Sequence, residues 1–279
     1  MKKFTIGVVG LGLMGGSLAA AFKKIDDYRV IGFDISLKVI ESAKQKGIID
    51  EGYISNNKLN KADVVFICLY PKKIVEFVKI NKNYFKNSAI ITDIAGIKYG
   101  IMKDIEKVLR KDLEFIGGHP MVGKEKEGIE FADANLFKNS KYILTPRKNT
   151  DIRKYRLLEE LLYEIGVLNI NLLEAVEHDE YVAYTSQLPH ALATLLMNNN
   201  EKAIDQKIHG GSFKDATRVA MINAELWIEL FEENKYALSK TLDDFEKAIR
   251  DMKNCVQNGD KEKLHNLFTK GREKREALR

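Results

Sequence analysis

The chain has 279 residues, enough for about two domains. Hydrophobic residues make up 45% and charged residues 30%, which excludes a disordered chain, a collagen and a disulfide scaffold. Lys and Arg total 45 against 40 Asp and Glu, and the two signs are interspersed; a net charge of +5 gives weak support for a nucleic-acid partner and slightly better support for a small anion.

The first predicted strand, Phe4–Val9, runs straight into Gly10-Leu11-Gly12-Leu13-Met14-Gly15. This is G-x-G-x-x-G between a strand and a helical segment, Ser17–Lys24. Gly10 permits the tight turn, Gly12 lets backbone N–H groups near Leu13 and Met14 approach a pyrophosphate, and Gly15 allows close helix–sheet packing. The second strand, Arg29–Phe33, ends at Asp34, 19 residues (34 − 15) past Gly15. An acid there hydrogen-bonds the ribose hydroxyls and repels a 2′-phosphate, so NAD is favoured over NADP. Ser36 is read as the cap of the helix Leu37–Lys46.

A third apolar run, Asp63–Leu69, places Leu69, Tyr70 and Pro71 at a strand end, where they line the cofactor or form a plain turn into Lys72–Asn81. Ala89–Ile94 and the helical Lys98–Leu109 follow, then Glu114–Ile116, Lys141–Thr145 and a last short strand, Val167–Leu172. Apolar strands alternating with helices predict a Rossmann-type α/β doubly wound sheet over residues 1–172.

Gly117-Gly118-His119-Pro120 ends one of these strands. The glycines are read as room for a flat ring, and Pro120 keeps His119 out of the helical region. An imidazole there suits proton removal as hydride leaves, so His119 is the candidate catalytic base. The charged turn Val122–Gly128 reads as a solvated loop.

From Glu174 onward no strand signal remains. Helical segments are predicted over Glu177–Asn198, Asp215–Asn223, Glu225–Phe231, Lys235–Asn258 and from Lys261 into the tail, giving an all-α domain over residues 173–279. Pro189 should kink its helix, and Gln187 and His190, three apart, share a face. Asp215 and Arg218 repeat that spacing, so the acid can orient the guanidinium toward a carboxylate.

Cys68 and Cys255 are read as reduced thiols. No stretch approaches the roughly 18 apolar residues of a membrane span. Glycines interrupt the apolar run after Met1-Lys2-Lys3, so no signal peptide is read. The expectations are a cytoplasmic protein, no membrane or nucleic-acid partner, and no metal.

The stretches GLGLMGGSLA, TDIAGIK, GGHPMVGKEKEGIE, SQLPHALA and GGSFKDATRVA together resemble the prephenate dehydrogenase family of tyrosine biosynthesis. The resemblance implies NAD-dependent oxidative decarboxylation of prephenate to 4-hydroxyphenylpyruvate, or of arogenate to tyrosine, on a Rossmann domain joined to a helical dimerisation domain. His119 would take the ring-hydroxyl proton. Arg218, held by Asp215, would bind a carboxylate of the dianionic substrate, His190 would orient it, and Glu125 matches an acid at the site entrance. Trp227, a lone tryptophan in a helical segment, is read as core. Two residues depart from the family pattern: Gly96 stands where a serine is common, and Gln187 where a histidine is. The helical pattern runs almost to Arg279, so neither a chorismate mutase nor a separate tyrosine-sensing domain is expected. A β-hydroxyacid dehydrogenase, which also favours G-L-G-x-M-G, is the rival enzyme reading, but it leaves GGHP unexplained. A non-catalytic NAD sensor would need neither His119 nor Arg218.

Overall fold

The computed structural model describes residues 4–124, 126–199 and 210–278. The chain divides into two compact units, Met1–Asn234 and Lys235–Arg279.

The larger unit is built on an eight-stranded sheet: β1 (Phe4–Val9), β2 (Tyr28–Phe33), β3 (Glu51–Tyr53), β4 (Val64–Ile67), β5 (Ile90–Asp93), β6 (Glu114–Pro120), β7 (Lys141–Pro146) and β8 (Asn169–Leu172). Their order is β3-β2-β1-β4-β5-β6-β7-β8. The order reverses between β1 and β4, and a crevice opens beyond the carboxyl ends of the strands at such a switch point. Strands β3 to β6 run parallel, as their apolar runs predict. The last two strands pair differently. β7 is antiparallel to β6, with His119 opposite Ile143, and β8 runs parallel to β7. The link from Pro120 to Lys141 contains only a short 3-10 turn, Ile129–Phe131, so β7 enters the sheet from the end at which β6 leaves it. The sheet is mixed, and GGHP lies inside β6 rather than beyond it.

Four helices follow the strands of the parallel part: α1 (Leu13–Lys23), α2 (Leu37–Gln45), α3 (Pro71–Asn81) and α4 (Tyr99–Val108). α5 (Ile152–Glu164) joins β7 to β8 and is capped by Asp151, whose side chain accepts the Arg153 N–H. Ser36 caps α2 as read, accepting the Val39 N–H. Two apolar clusters flank the sheet: one holds Phe22, Phe66, Leu144 and Leu162, the other Phe33, Ile67, Ile101 and Phe115.

The expected domain limit at Leu172 coincides with the end of β8, while the compact units part later, at Asn234. Between these points lie α6 (Ala175–Val182), α7 (Leu188–Asn198), α8 (Gly211–Thr217) and α9 (Ala224–Glu233). A π-helical turn, Ala183–Gln187, joins α6 to α7. Pro189, lacking an N–H, falls in the first turn of α7, so the widened turn absorbs the break that proline imposes.

The smaller unit is a helical hairpin of α10 (Lys235–Gln257) and α11 (Lys261–Glu276). Asp260 caps α11 by accepting the Lys263 N–H. No described helix is long and apolar enough to cross a membrane.

Candidate active site

The glycine loop has the geometry of a dinucleotide cradle. Gly10 has φ +83°, and a Cβ on it would stand 2.5 Å from the Cys68 carbonyl oxygen. A Cβ on Gly15 would lie 1.8 Å from the Gly10 carbonyl oxygen. Both positions therefore require glycine. Gly12 is exposed, with nothing within 4 Å of where its Cβ would stand, and it opens α1 without a side-chain cap. The unsatisfied N–H groups of the first turn, at buried Leu13 and half-buried Met14, thus leave an anion site at the positive end of the helix.

Asp34 closes the cradle. One carboxylate oxygen accepts the Leu11 N–H at 2.9 Å, and the other accepts the Ser36 N–H at 2.9 Å. It stands half-buried at the end of β2 while pinning the glycine loop. These residues fit an NAD molecule, with the pyrophosphate on the Gly12–Leu13–Met14 backbone and the ribose at Asp34. Leu69 packs against Gly10. Tyr70 precedes α3 and is exposed, and Pro71 is the first residue of α3, where its missing N–H costs nothing.

Beside the cradle, the carboxyl ends of β5 and β6 carry a hydrogen-bonded polar cluster. His119, half-buried on β6, places Nδ1 2.8 Å from Nε2 of His178. His178, fully buried on α6, places Nδ1 2.7 Å from an Asp179 oxygen. That oxygen also accepts the Lys98 backbone N–H at 2.7 Å, and its twin accepts the Tyr99 N–H at 2.9 Å. Asp179 thereby caps α4, which has no cap of its own. Burial, then the neighbouring His178 and Lys98, hold the His119 imidazole well below the ordinary histidine value. The ring is neutral at pH 7, as a base must be.

Beneath this cluster, fully buried Lys98 donates to Asp93 at 2.5 Å, the Ala95 carbonyl at 2.8 Å and the Ile97 carbonyl at 3.0 Å. All three ammonium hydrogens are satisfied. Burial lowers the Lys98 pKa and Asp93 opposes that shift. The second Asp93 oxygen accepts the Gly118 N–H at 3.1 Å.

This arrangement corrects the reading of the paired glycines. A Cβ on Gly117 would meet the Lys98 stem at 2.9 Å and the Thr145 hydroxyl at 2.2 Å. On Gly118 it would meet the Asp93 carbonyl at 2.6 Å and the Tyr142 hydroxyl at 2.8 Å. The glycines make room for the buried ion pair and its neighbours, not for a ring of the cofactor.

The second half contributes unevenly. His190 stacks on Trp227 with ring centres 3.9 Å apart, and its Nδ1 donates to the Ser186 carbonyl at 2.8 Å. Gln187 faces the same helix: His190 meets Trp227 of α9, and Gln187 meets Leu230, three residues on. It is buried, donates to the Leu230 carbonyl at 3.0 Å, and accepts from Asn234 at 2.8 Å. Its amide is spent on tying the end of the π-helical turn to α9 and to Asn234.

Asp215 and Arg218 are exposed and form no ion pair with each other. At an exposed i, i+3 pair the gain is about 0–1 kcal/mol, which side-chain entropy can cancel. Arg218 lies on a 3-10 turn, Arg218–Ala220, packed against α7. Glu125 lies outside the described residues. Asn223, which caps α9, donates to the Tyr70 hydroxyl at 3.3 Å, so α9 meets the end of β4 directly.

His178, Asp179, Lys98 and Asp93 were not read from the sequence as site residues. The signal for the first two was a histidine–aspartate pair at the start of the helical half. Among the described residues no cluster suits a metal ion.

Two family models match the chain: prephenate dehydrogenase, nucleotide-binding domain, over residues 18–171, and prephenate dehydrogenase, dimerization domain, over 174–270. The prephenate dehydrogenase of Bacillus subtilis is 30% identical over 285 residues, covering 99% of this chain and 76% of that protein. The crystal structure of prephenate dehydrogenase from Aquifex aeolicus, in complex with hydroxyphenyl propionate and NAD+, is 30% identical with a TM-score of 0.89, covering 100% of this chain and 99% of that one. The Synechocystis arogenate dehydrogenase structure is 29% identical with a TM-score of 0.87, covering 99% and 100%.

Proposed function

Because the chain belongs to the prephenate dehydrogenase family, an NAD-dependent oxidoreductase family, we propose that it oxidatively decarboxylates prephenate to 4-hydroxyphenylpyruvate on the path to tyrosine. The observation that carries this reading is His119: a neutral imidazole on the carboxyl edge of β6, in the same sheet whose β1 feeds the glycine cradle.

NAD held by the glycine cradle and Asp34 would supply the hydride acceptor for the ring carbon that bears the hydroxyl. Nε2 of His119 takes the hydroxyl proton as that carbon becomes a carbonyl. The bond to the ring carboxylate then breaks, carbon dioxide leaves, and its electron pair aromatises the ring. The phenolate oxygen recovers the proton from His119, so no proton is consumed overall. Lys98, fixed and cationic, lies close enough to His119 to disfavour a lasting imidazolium, which favours the return step.

Arg218 binds a substrate carboxylate and His190, backed by Trp227, orients the substrate. Glu125 attends the entrance, as the family resemblance implies. Gly10, Gly12, Leu13, Met14, Gly15 and Asp34 hold NAD, with Leu69, Tyr70 and Pro71 lining its edge. A free carboxylate at Asp34 would repel the extra phosphate of NADP.

A second reading, arogenate as substrate, is supported by the similar match to an arogenate dehydrogenase structure. Turnover of prephenate and arogenate side by side, each with NAD and with NADP, tests both. NADH and 4-hydroxyphenylpyruvate from prephenate are expected, and no turnover of either acid overturns the reading.

We further propose a cytoplasmic homodimer with a domain limit near Leu172. The dimerization family model supports the pairing, as do exposed apolar residues of α6 and α7, among them Leu195, Leu196 and Met197. Cys68 and Cys255 are both free thiols, in keeping with a reducing compartment. Light scattering at twice the mass of the chain is the expected result.

A further inference from the structure

Asp179 accepts two backbone N–H bonds at the start of α4, from Lys98 and Tyr99. Both of its oxygens are thereby engaged as acceptors. The third bond to it, from Nδ1 of His178 at 2.7 Å, must then be donated by the imidazole. In the neutral ring this leaves Nε2 of His178 without a proton. That nitrogen lies 2.8 Å from Nδ1 of His119, so Nδ1 of His119 must donate. Nε2 of His119 is left with its lone pair. A Cβ at position 96 would stand 3.7 Å from it, on the side of Gly96 and Leu230. The proton order of the whole chain follows from the acceptor-only end.

We propose that His178, held by Asp179, is a positioning residue that fixes His119 as the Nδ1–H tautomer, aims its basic Nε2 at the reacting hydroxyl, and shares the proton that His119 takes up. The substrate O–H bond breaks and its proton bonds to Nε2 of His119. The Nδ1–H bond of His119 then breaks and that proton bonds to Nε2 of His178. The positive charge comes to rest beside the Asp179 carboxylate. Both transfers reverse when the product oxygen recovers its proton, and no other reactant is needed. The orientation that a hydroxyl at position 96 would supply at Nε2 is supplied here from the opposite nitrogen. His178 and Asp179 belong to α6, so the helical segment after the sheet completes the base on β6.

The role as proton partner rests on the proposed reaction, whereas the tautomer is a property of the free protein. The test therefore begins with the full-length chain, labelled with 15N at its 5 histidines. His119 is assigned from the signal lost in His119→Gln. At neutral pH, Nδ1 of His119 should carry the proton and Nε2 should resonate as an unprotonated nitrogen. In His178→Leu the acceptor is gone and the Nε2–H form should appear. His178→Gln can still accept from Nδ1 through its amide oxygen, so it should keep the tautomer while losing the proton partner.

For prephenate turnover, His178→Gln should lower kcat about 10-fold and His178→Leu about 100-fold, with KM for prephenate and NAD within about 3-fold of the parent. An Nε2–H tautomer in the parent protein, unchanged kcat in His178→Leu, or a loss confined to KM would overturn the proposal. If His178→Leu does not fold, the parent spectrum and His178→Gln decide. If the parent protein turns over no prephenate, the reading of the reaction fails, while the tautomer still decides whether His178 orders His119.

Discussion

Gly96 faces His119: a side-chain carbon on Gly96 would stand 3.7 Å from Nε2 of His119 and 3.4 Å from the nearest methyl of Leu230. These are ordinary contact distances, so the position is open, and its glycine is not forced by sterics. Gly96→Ser should fold with unchanged stability and place a hydroxyl within reach of the imidazole. A kcat raised by up to about 10-fold is expected, the lower end of what one well-placed polar group gives a proton transfer. Steady-state kinetics of the variant checks this, and a lowered kcat would show that the hydroxyl competes with substrate for Nε2.

His119→Ala removes the base and leaves the cradle and the carboxylate contacts in place. A loss of about 10²- to 10⁴-fold in kcat with little change in KM is expected. A variant that loses only KM would place His119 among the binding residues instead.

The pH profile follows from the environment of the same ring. Burial, His178 and Lys98 all disfavour the imidazolium. The base is then neutral over a wider range than free histidine, and activity fails only when acid protonates it. The acid limb of kcat/KM should fall well below the ordinary histidine value of about 6.5. A limb at or above that value would assign the titration to another group.

Arg218→Ala should act on the other parameter. Loss of a carboxylate contact should raise KM for prephenate by about 10- to 100-fold, the worth of one hydrogen-bonded charge, with kcat changed far less. A substrate lacking the side-chain carboxylate should lose this difference between parent and variant. Equal loss of kcat in the variant would mean that the guanidinium acts on the reacting end.

Gly118→Ala is a stability test. Its Cβ would stand 2.6 Å from the backbone oxygen of Asp93 and 2.8 Å from the Tyr142 hydroxyl. Backbone cannot yield as a flexible side chain can, so a destabilisation of about 1–3 kcal/mol is expected, read by denaturant unfolding. Gly123→Ala, with nothing within 4 Å, is the control that should stay neutral.

The features legible in the sequence are those whose cause is local. β1, the glycine loop and Asp34 lie within one βαβ unit, and each residue's role follows from its neighbours. Ser36 was readable as a cap for the same reason. β3 has only three residues, Glu51–Tyr53, too few for a periodic signal. The reversal of β7 depends on where the chain re-enters the sheet, which no strand pattern records. The partner of His119 was hidden in the same way: His178 is 59 residues away, and the two rings meet only because α6 packs beside α4. The hydrogen bonds of Gln187 were hidden likewise, because Leu230 and Asn234 lie 43 and 47 residues away.

Lys98 and Asp93 form an interior pair in which each partner answers for the other's charge. Replacing one alone strands an ion away from water, at a cost of about 3–5 kcal/mol, and replacing both still orphans the Ala95 and Gly118 N–H groups and the Ala95 and Ile97 carbonyls that the pair satisfies. The two side chains and the backbone groups they satisfy therefore behave as one unit, and a change at either site is felt at the other.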